Sequence, residues 1–362
     1  MAPSDRLQTI AQARQTLLYG QGRSPSTLPA LAPWLQRSWQ RCQGWGLEPG
    51  RPVEFEAVSA AQMRRVQEAS APLVQAARPV LAELVRAMGD IGYFAILTNA
   101  QGVVVDVQGP VNRRDRRADV IARVGVDLSE RAVGTTAIGA ALTELQPVWL
   151  HRGEHFFDDT SVYSCAGAPV FGPDGRCAGM LDLTGVEVAE RPALKHLVRR
   201  SARSIENGWL LAAPHALTLR LNWPGNQPGD DSDGLLTLDA EGRITGANPT
   251  ARQMLALEGG SADTHAADVF AMPWDNLFDA ARRDSGVCEV PLWSGLRLQA
   301  RAQRAGEAAA PSPRGSGKAL RDVQTELIRQ AVVQARGNVA EAARALGISR
   351  ATVYRKLGTP KA

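Results

Sequence analysis

Arg350, Thr352, Arg355 and Lys356 fall within seven residues, and Val353 and Leu357 stand four apart among them. On a helix that spacing turns the two apolar side chains to one face and leaves the polar ones on another. An arginine fork matches the paired acceptors of a guanine edge, and cationic side chains beside it bind phosphate. Ser349 stands where it can cap such a helix, so Ser349, Arg350, Thr352, Tyr354, Arg355 and Lys356 form one candidate DNA-contacting set. Charge supports the same chemistry. From Lys318 to Ala362 there are nine Lys or Arg against three Asp or Glu, net +6, whereas the whole chain is only +4. The cationic excess is concentrated at this end, as a nucleic-acid module requires.

A second group lies earlier. Thr135 and Thr136 open the segment TTAIGAAL, and His155 and Phe156 sit in EHFF just before the strand-like SCAGAPV, which contains Val170. A small-molecule site is concave and mostly apolar, with a few placed polar groups. Thr136 and His155 would supply hydrogen bonds, Phe156 and Val170 apolar walls, with Thr135 beside them.

These residues need elements to hold them. Leu320, Val323, Leu327, Ile328, Ala331 and Val332 follow helical spacing. Gly337 ends that helix and Asn338 caps a short Ala-rich second one, with Glu341 three residues on as in a capping box. Gly347 and Ile348 form the turn into a third helix through Tyr354 to Leu357. GNVAEAARALGISRATVYRKLG resembles the DNA-binding module of the Fis family. That resemblance implies a dimer, with Ser349, Arg350, Thr352, Arg355 and Lys356 on the DNA-facing side.

The first ninety residues read as helical. Trp34, Leu35, Trp39 and Cys42 share a face, and a long Ala-rich helix follows, interrupted near Pro72 and Pro79. From about Ile91 to Leu211, strand pairs alternate with helices. They end in SCAGAPVFGPDGRCAGMLDLTG, two strands around a Pro-Asp-Gly turn, and a closing amphipathic helix. This pattern fits one antiparallel sheet with helices packed on it. RAVGTTAIGAAL, HRGEHFFDD and that hairpin resemble the GAF sensor of acetoin-regulator-type bacterial transcription factors, and SWQRCQGWGLEP resembles their helical start. Thr136 stands where those proteins usually carry Asn.

The expected organisation is an α+β multidomain chain: an N-terminal helical region (1–90), a GAF-like sensor (91–212), a linker (213–232), a PAS-like domain (233–302), a flexible linker (303–318) and a Fis-type helix-turn-helix (319–359). GLLTLDAEGRITGANPTARQMLAL, strand, turn, strand and a helix opened by Asn248-Pro249, carries the PAS-like expectation.

Other chemistries find little support. Four cysteines without a CxxC pair argue against a zinc ribbon or a secreted disulfide frame. His151, His155, Cys165 and Cys177 fit no standard metal spacing, and Cys165 with His155 lacks an orienting third group. Relatives of this type carry a large ATPase domain between sensor and DNA reader. Here Gly315-Ser316-Gly317-Lys318 precedes Ala319 instead of the hydroxyl that binds Mg²⁺, and Ser312 replaces the first motif glycine. No catalytic residues, cofactor or metal are expected. With no membrane-length apolar run and no leader pattern, the chain reads as cytoplasmic, bacterial and nucleoid-associated when on DNA.

The expectation is an effector-responsive regulator binding operator DNA as a dimer and acting without ATP, either by repression or by recruiting RNA polymerase. The alternative is an accessory DNA-binding protein that competes or heterodimerises with a full-length relative and senses nothing.

Overall fold

The computed structural model describes residues 3–20, 31–89, 91–257, 264–283 and 286–306, then 328–329, 331–332, 335, 338–345 and 350–357. It divides into two compact units, Met1–Gly306 and Glu307–Ala362. Among the described residues no helix is long and apolar enough to cross a membrane.

The first unit opens with helices α1 (Pro3–Leu17), α2 (Pro33–Gly44) and α3 (Ala60–Met88). Strands β1 (Tyr93–Asn99) and β2 (Val104–Gln108) follow, then short helices α4 (Arg116–Ile121), α5 (Glu130–Val133) and α6 (Ala137–Glu144). Strands β3 (Val148–His151), β4 (Tyr163–Phe171) and β5 (Cys177–Val186) lead to the long α7 (Leu194–Ala212). The five strands form one antiparallel sheet in the order β2-β1-β5-β4-β3. This is the sheet with packed helices that the sequence implied.

Both faces of the sheet are covered. Ala95, Leu97, Ala166, Ala168, Val170, Leu181 and Leu183 pack with Leu73, Leu81 and Leu84 of α3 and Val198 and Ile205 of α7. On the opposite face Ile96, Cys165 and Met180 meet Trp39 and Leu35 of α2, Ile10 of α1 and the small residues of α6. The N-terminal helices therefore share the sheet's core.

Two expectations change here. Helix α3 runs unbroken through Pro72 and Pro79. Each proline removes one backbone bond, but the two are seven residues apart and exposed, so water can satisfy the freed carbonyls. Residues expected to be linker contain strand β6 (Leu217–Asn222). Leu217, Leu219 and Leu221 alternate inward and are fully buried, which overrides the Pro- and Gly-rich composition that follows them.

Strand β6 is the middle of a second antiparallel sheet. With β7 (Gly234–Leu238), β8 (Ile244–Ala247), β9 (Cys288–Pro291) and β10 (Arg297–Arg304) the order is β8-β7-β6-β10-β9. Helices α8 (Pro249–Leu255), α9 (Ala266–Val269) and α10 (Asp275–Arg282) cover one face around Phe270 and Leu277. The expected strand, turn, strand and Asn-capped helix are present, and Asn248 Oδ1 accepts the Ala251 N–H at 2.8 Å.

The two sheet domains of this unit are joined side to side. The Ala247 N–H donates to the Pro173 carbonyl at 3.1 Å, and Arg252 Nη2 to the Asp174 carbonyl at 2.7 Å. Asn248 Nδ2 donates to Asn207 Oδ1 of α7 at 2.9 Å. A Cβ at Gly246 would lie 2.5 Å from the Leu210 Cδ1 tip and 3.2 Å from the Pro173 carbonyl oxygen, so the two domains pack closely here.

In the second unit Ile328, Arg329, Ala331 and Val332 are helical, followed by α11 (Val339–Ala345) and α12 (Arg350–Leu357). Asn338 caps α11 as its sequence suggested, accepting from Ala340 N at 3.1 Å and Glu341 N at 3.2 Å. Ile328, Ala343 and Val353 form its small core.

Candidate functional site

A small cavity lies between the first sheet and the helices of its α2 and α6 face. Strands β1, β4 and β5 contribute Ile96, Tyr163, Cys165, Asp182 and Thr184. The start of α6 gives Thr136, Ala137 and Ile138, and the loops give His155, Thr160, Leu128 and Phe55. The space is about 30 Å³. That is two to three times the ~10–15 Å³ one water requires, so it suits a compact occupant.

The register explains the polar floor. Asp182 lies between Ile96 of β1 and Gly167 of β4, and Thr184 pairs with Cys165. Alternation along β5 puts Met180, Asp182 and Thr184 on the cavity side and Leu181 and Leu183 on the other. A Cβ at Gly167 would stand 1.9 Å from Met180 Cε and 3.0 Å from the Ala137 carbonyl, so only glycine lets α6 sit this close to the sheet.

Two fully buried polar atoms here have no hydrogen-bond partner among the described residues: His155 Nε2 and Asp182 Oδ1. His155 Nδ1 lies 2.9 Å from the Arg152 carbonyl. A carbonyl only accepts, so Nδ1 carries the proton and Nε2 presents a lone pair. Burial, together with the charge of Arg14, holds the imidazole down at about 4 and therefore neutral. Burial pushes the Asp182 carboxyl up to about 7, opposed by the Thr184 hydroxyl that donates to its Oδ2. Burial likewise raises the Cys165 thiol, 3.3 Å from the Thr184 hydroxyl, well above its ordinary range. An unsatisfied buried polar atom costs about 1–3 kcal/mol, so two on residues that line one cavity make it a place for a ligand to gain hydrogen bonds.

The structure brings together two of the five residues expected at a ligand site. His155 and Thr136 line the cavity, although the Thr136 hydroxyl is engaged in capping α6 at Gly139 N, 3.2 Å. Thr135 turns the other way, its hydroxyl 2.7 Å from Ser38 of α2. Phe156 packs edge-on against Phe157, with ring centroids 5.1 Å apart, and is not among the residues lining the cavity. Val170 has the strand parity of Ala166 and Ala168 and sits in the core on the far face. Sequence reasoning missed Asp182, Thr184, Tyr163 and Thr160. The available signal was MLDLTG, two polar residues at period two inside an otherwise apolar strand.

His151 is on the far side of β3, its Nδ1 2.6 Å from Ser164 Oγ, and Cys177 is at the opposite end of β5 from Thr184. Among the described residues no three His, Cys, Asp or Glu are grouped to hold a metal.

The loop bearing His155 is held from behind. The Arg14 guanidinium donates to the carbonyls of Gly153 (3.1 Å), His155 and Phe156 (3.0 Å), and to Asp158 at 2.6 Å. Trp39 Nε1 donates to the Glu154 carbonyl at 3.0 Å.

In the second unit Arg350 and Tyr354 are exposed on α12, Thr352 is half-buried and Val353 is buried. Arg355 and Lys356 lie on the helical backbone, with side chains outside the described residues. Ser349, Gly337, Gly347, Ile348 and the Gly315–Lys318 stretch also lie outside them.

Residues 8–207, more than half of the chain, match the family model described as MimR, N-terminal domain. The chain belongs to that family. Residues 319–358 match the model for the bacterial regulatory protein, Fis family. The chain is 34% identical over 263 residues to the acetoin catabolism regulatory protein of Cupriavidus necator, covering 70% of this chain and 38% of that protein. It is 29% identical over 207 residues to the propane 2-monooxygenase operon transcriptional activator MimR of Mycolicibacterium goodii, covering 57% and 34%. It thus spans less than two fifths of the length of these curated relatives. Among solved structures, the E. coli DhaR(N)–DhaL complex aligns at a TM-score of 0.47 and 14% identity, over 75% of this chain and 99% of that one.

Proposed function

We propose that this MimR-type chain is an effector-responsive transcriptional regulator that binds operator DNA as a dimer through its Fis-family module. The observation that carries the sensing half is that His155 and Asp182 both line one small cavity and each has a buried atom without a hydrogen-bond partner among the described residues, Nε2 and Oδ1. The DNA half rests on the Fis-family match and on the exposed start of α12. Arg350 reads base edges, Ser349, Thr352 and Tyr354 flank it, and Arg355 and Lys356 meet phosphates. Within these 362 residues the interval between sensor and Fis module holds the second sheet, and the regulator works without hydrolysing ATP.

Selection from a random duplex pool with the full chain tests the reading. A preferred site should emerge. Arg350→Ala should relax preference at one base position and cost about 1–3 kcal/mol. Lys356→Ala should weaken all duplexes alike and lower the salt slope by about one. If no sequence is enriched, or Arg350→Ala leaves preference and affinity intact, the DNA-reading assignment is wrong.

A further inference from the structure

If the cavity is the effector site, its two unpartnered atoms also say which chemistry fits. His155 Nε2 accepts, since Nδ1 gives its proton to the Arg152 carbonyl. Asp182 Oδ2 is taken by the Thr184 hydroxyl, and Oδ1 is open. Among the described residues no Lys or Arg lines the cavity. The other titratable groups around it are Tyr163 and Cys165 on β4 and His155 on its loop, all neutral at ordinary pH. Thr184, Thr136 and Thr160 bring hydroxyls, and Ile96 of β1, Ala137 and Ile138 of α6, Ile121 of α4, Phe55 and Leu128 bring none. Arg14 acts on His155 from behind its loop, but its own donors are committed to carbonyls and Asp158.

A carboxyl enclosed by apolar walls with no cation favours its neutral acid form. As an acid it offers an O–H donor as well as an acceptor. A ligand carboxylate would be buried beside it with nothing to balance the charge. A ligand ammonium could ionise it, but that ion pair would have only threonine hydroxyls for support, too little to repay desolvation. We propose that Asp182 is the specificity-determining residue of this cavity: its carboxyl donates to an acceptor oxygen of an uncharged ligand whose own hydroxyl donates to His155 Nε2, and it turns away carboxylates.

Three near-isosteric probes separate the cases: propylene glycol, its amine counterpart isopropanolamine, and lactate. Each is titrated against the full chain by calorimetry and thermal shift, at about pH 6 and about pH 8, on either side of the carboxyl's midpoint. Propylene glycol should bind at least about ten-fold more tightly than either charged probe. Because the protonated acid is the binding form, its affinity should fall at the higher pH. Asp182→Asn keeps a neutral donor and acceptor, so it should bind propylene glycol within about three-fold of wild type and lose the pH dependence.

Lactate binding as tightly as the glycol would overturn the proposal. So would isopropanolamine binding best in wild type and failing in Asp182→Asn. Both leave the cavity as an effector site and change only the ligand class. If none of the three binds, the effector reading falls together with the proposal. Should Asp182→Asn not fold, infrared difference spectra of the wild type decide instead. Glycol binding should perturb a carboxylic-acid carbonyl band, and perturbation of a carboxylate band would sink the idea.

Discussion

The Arg14 guanidinium leaves water to bind main-chain carbonyls on either side of Glu154, and so fixes the loop that turns His155 toward the cavity. Removing it would strand three carbonyls in a buried seam. Arg14→Ala should therefore cost about 3–5 kcal/mol. Arg14→Lys should recover only part of this, because a single ammonium cannot reproduce the planar fork. Urea denaturation midpoints check it, and a cost under about 1 kcal/mol for the alanine variant would show that the loop holds itself. Side-chain direction was the least legible feature at this scale. In TTAIG and EHFF the chain is not a strand, so no period says which neighbour faces inward. Thr136 and His155 face the cavity, whereas Thr135 and Phe156 face α2 and Phe157.

Strands and helices were more legible, because their periods are set by burial. The hairpin of β4 and β5, the Asn248 and Asn338 caps and the inward Val353 all follow from spacing and residue type. One strand and one side-chain direction were hidden. Strand β6 is only six residues long and sits beside a Pro, Gly and Asp-rich run that dominated the composition. In β5 both faces are covered, so its apolar residues gave no inside or outside, and the polar pair Asp182 and Thr184 at period two was the mark of the cavity side. Packing between elements can be tested at Gly167, where α6 rests on β4. Gly167→Ala should cost about 1–3 kcal/mol by overpacking. The Met180 tip can move aside but the Ala137 carbonyl cannot, so Met180→Ala should relieve only part of the cost. A double-mutant cycle measures this, and full additivity would mean the clash is taken up elsewhere.

Across the first unit, the β4–β5 hairpin is common to both halves. One end of its strands carries Tyr163, Cys165 and Thr184 at the cavity, and the Pro173–Asp174 turn at the other bonds to Ala247 and Arg252. The Ala247 amide is thus a reporter with a known address. Its hydrogen is shielded only while the Pro173 carbonyl stays in place, so its exchange with solvent deuterium measures how often the two domains part. A cavity occupant that stiffens β4 and β5 should slow exchange at Ala247, whose partner Pro173 lies ten residues along the chain from Tyr163, by about ten-fold for each 1.4 kcal/mol of added coupling. Amides within β9, at the far edge of the second sheet, should keep their rates. Slowing of equal size in both places would mean that the occupant raises stability globally and that the hairpin has no special part in carrying the signal.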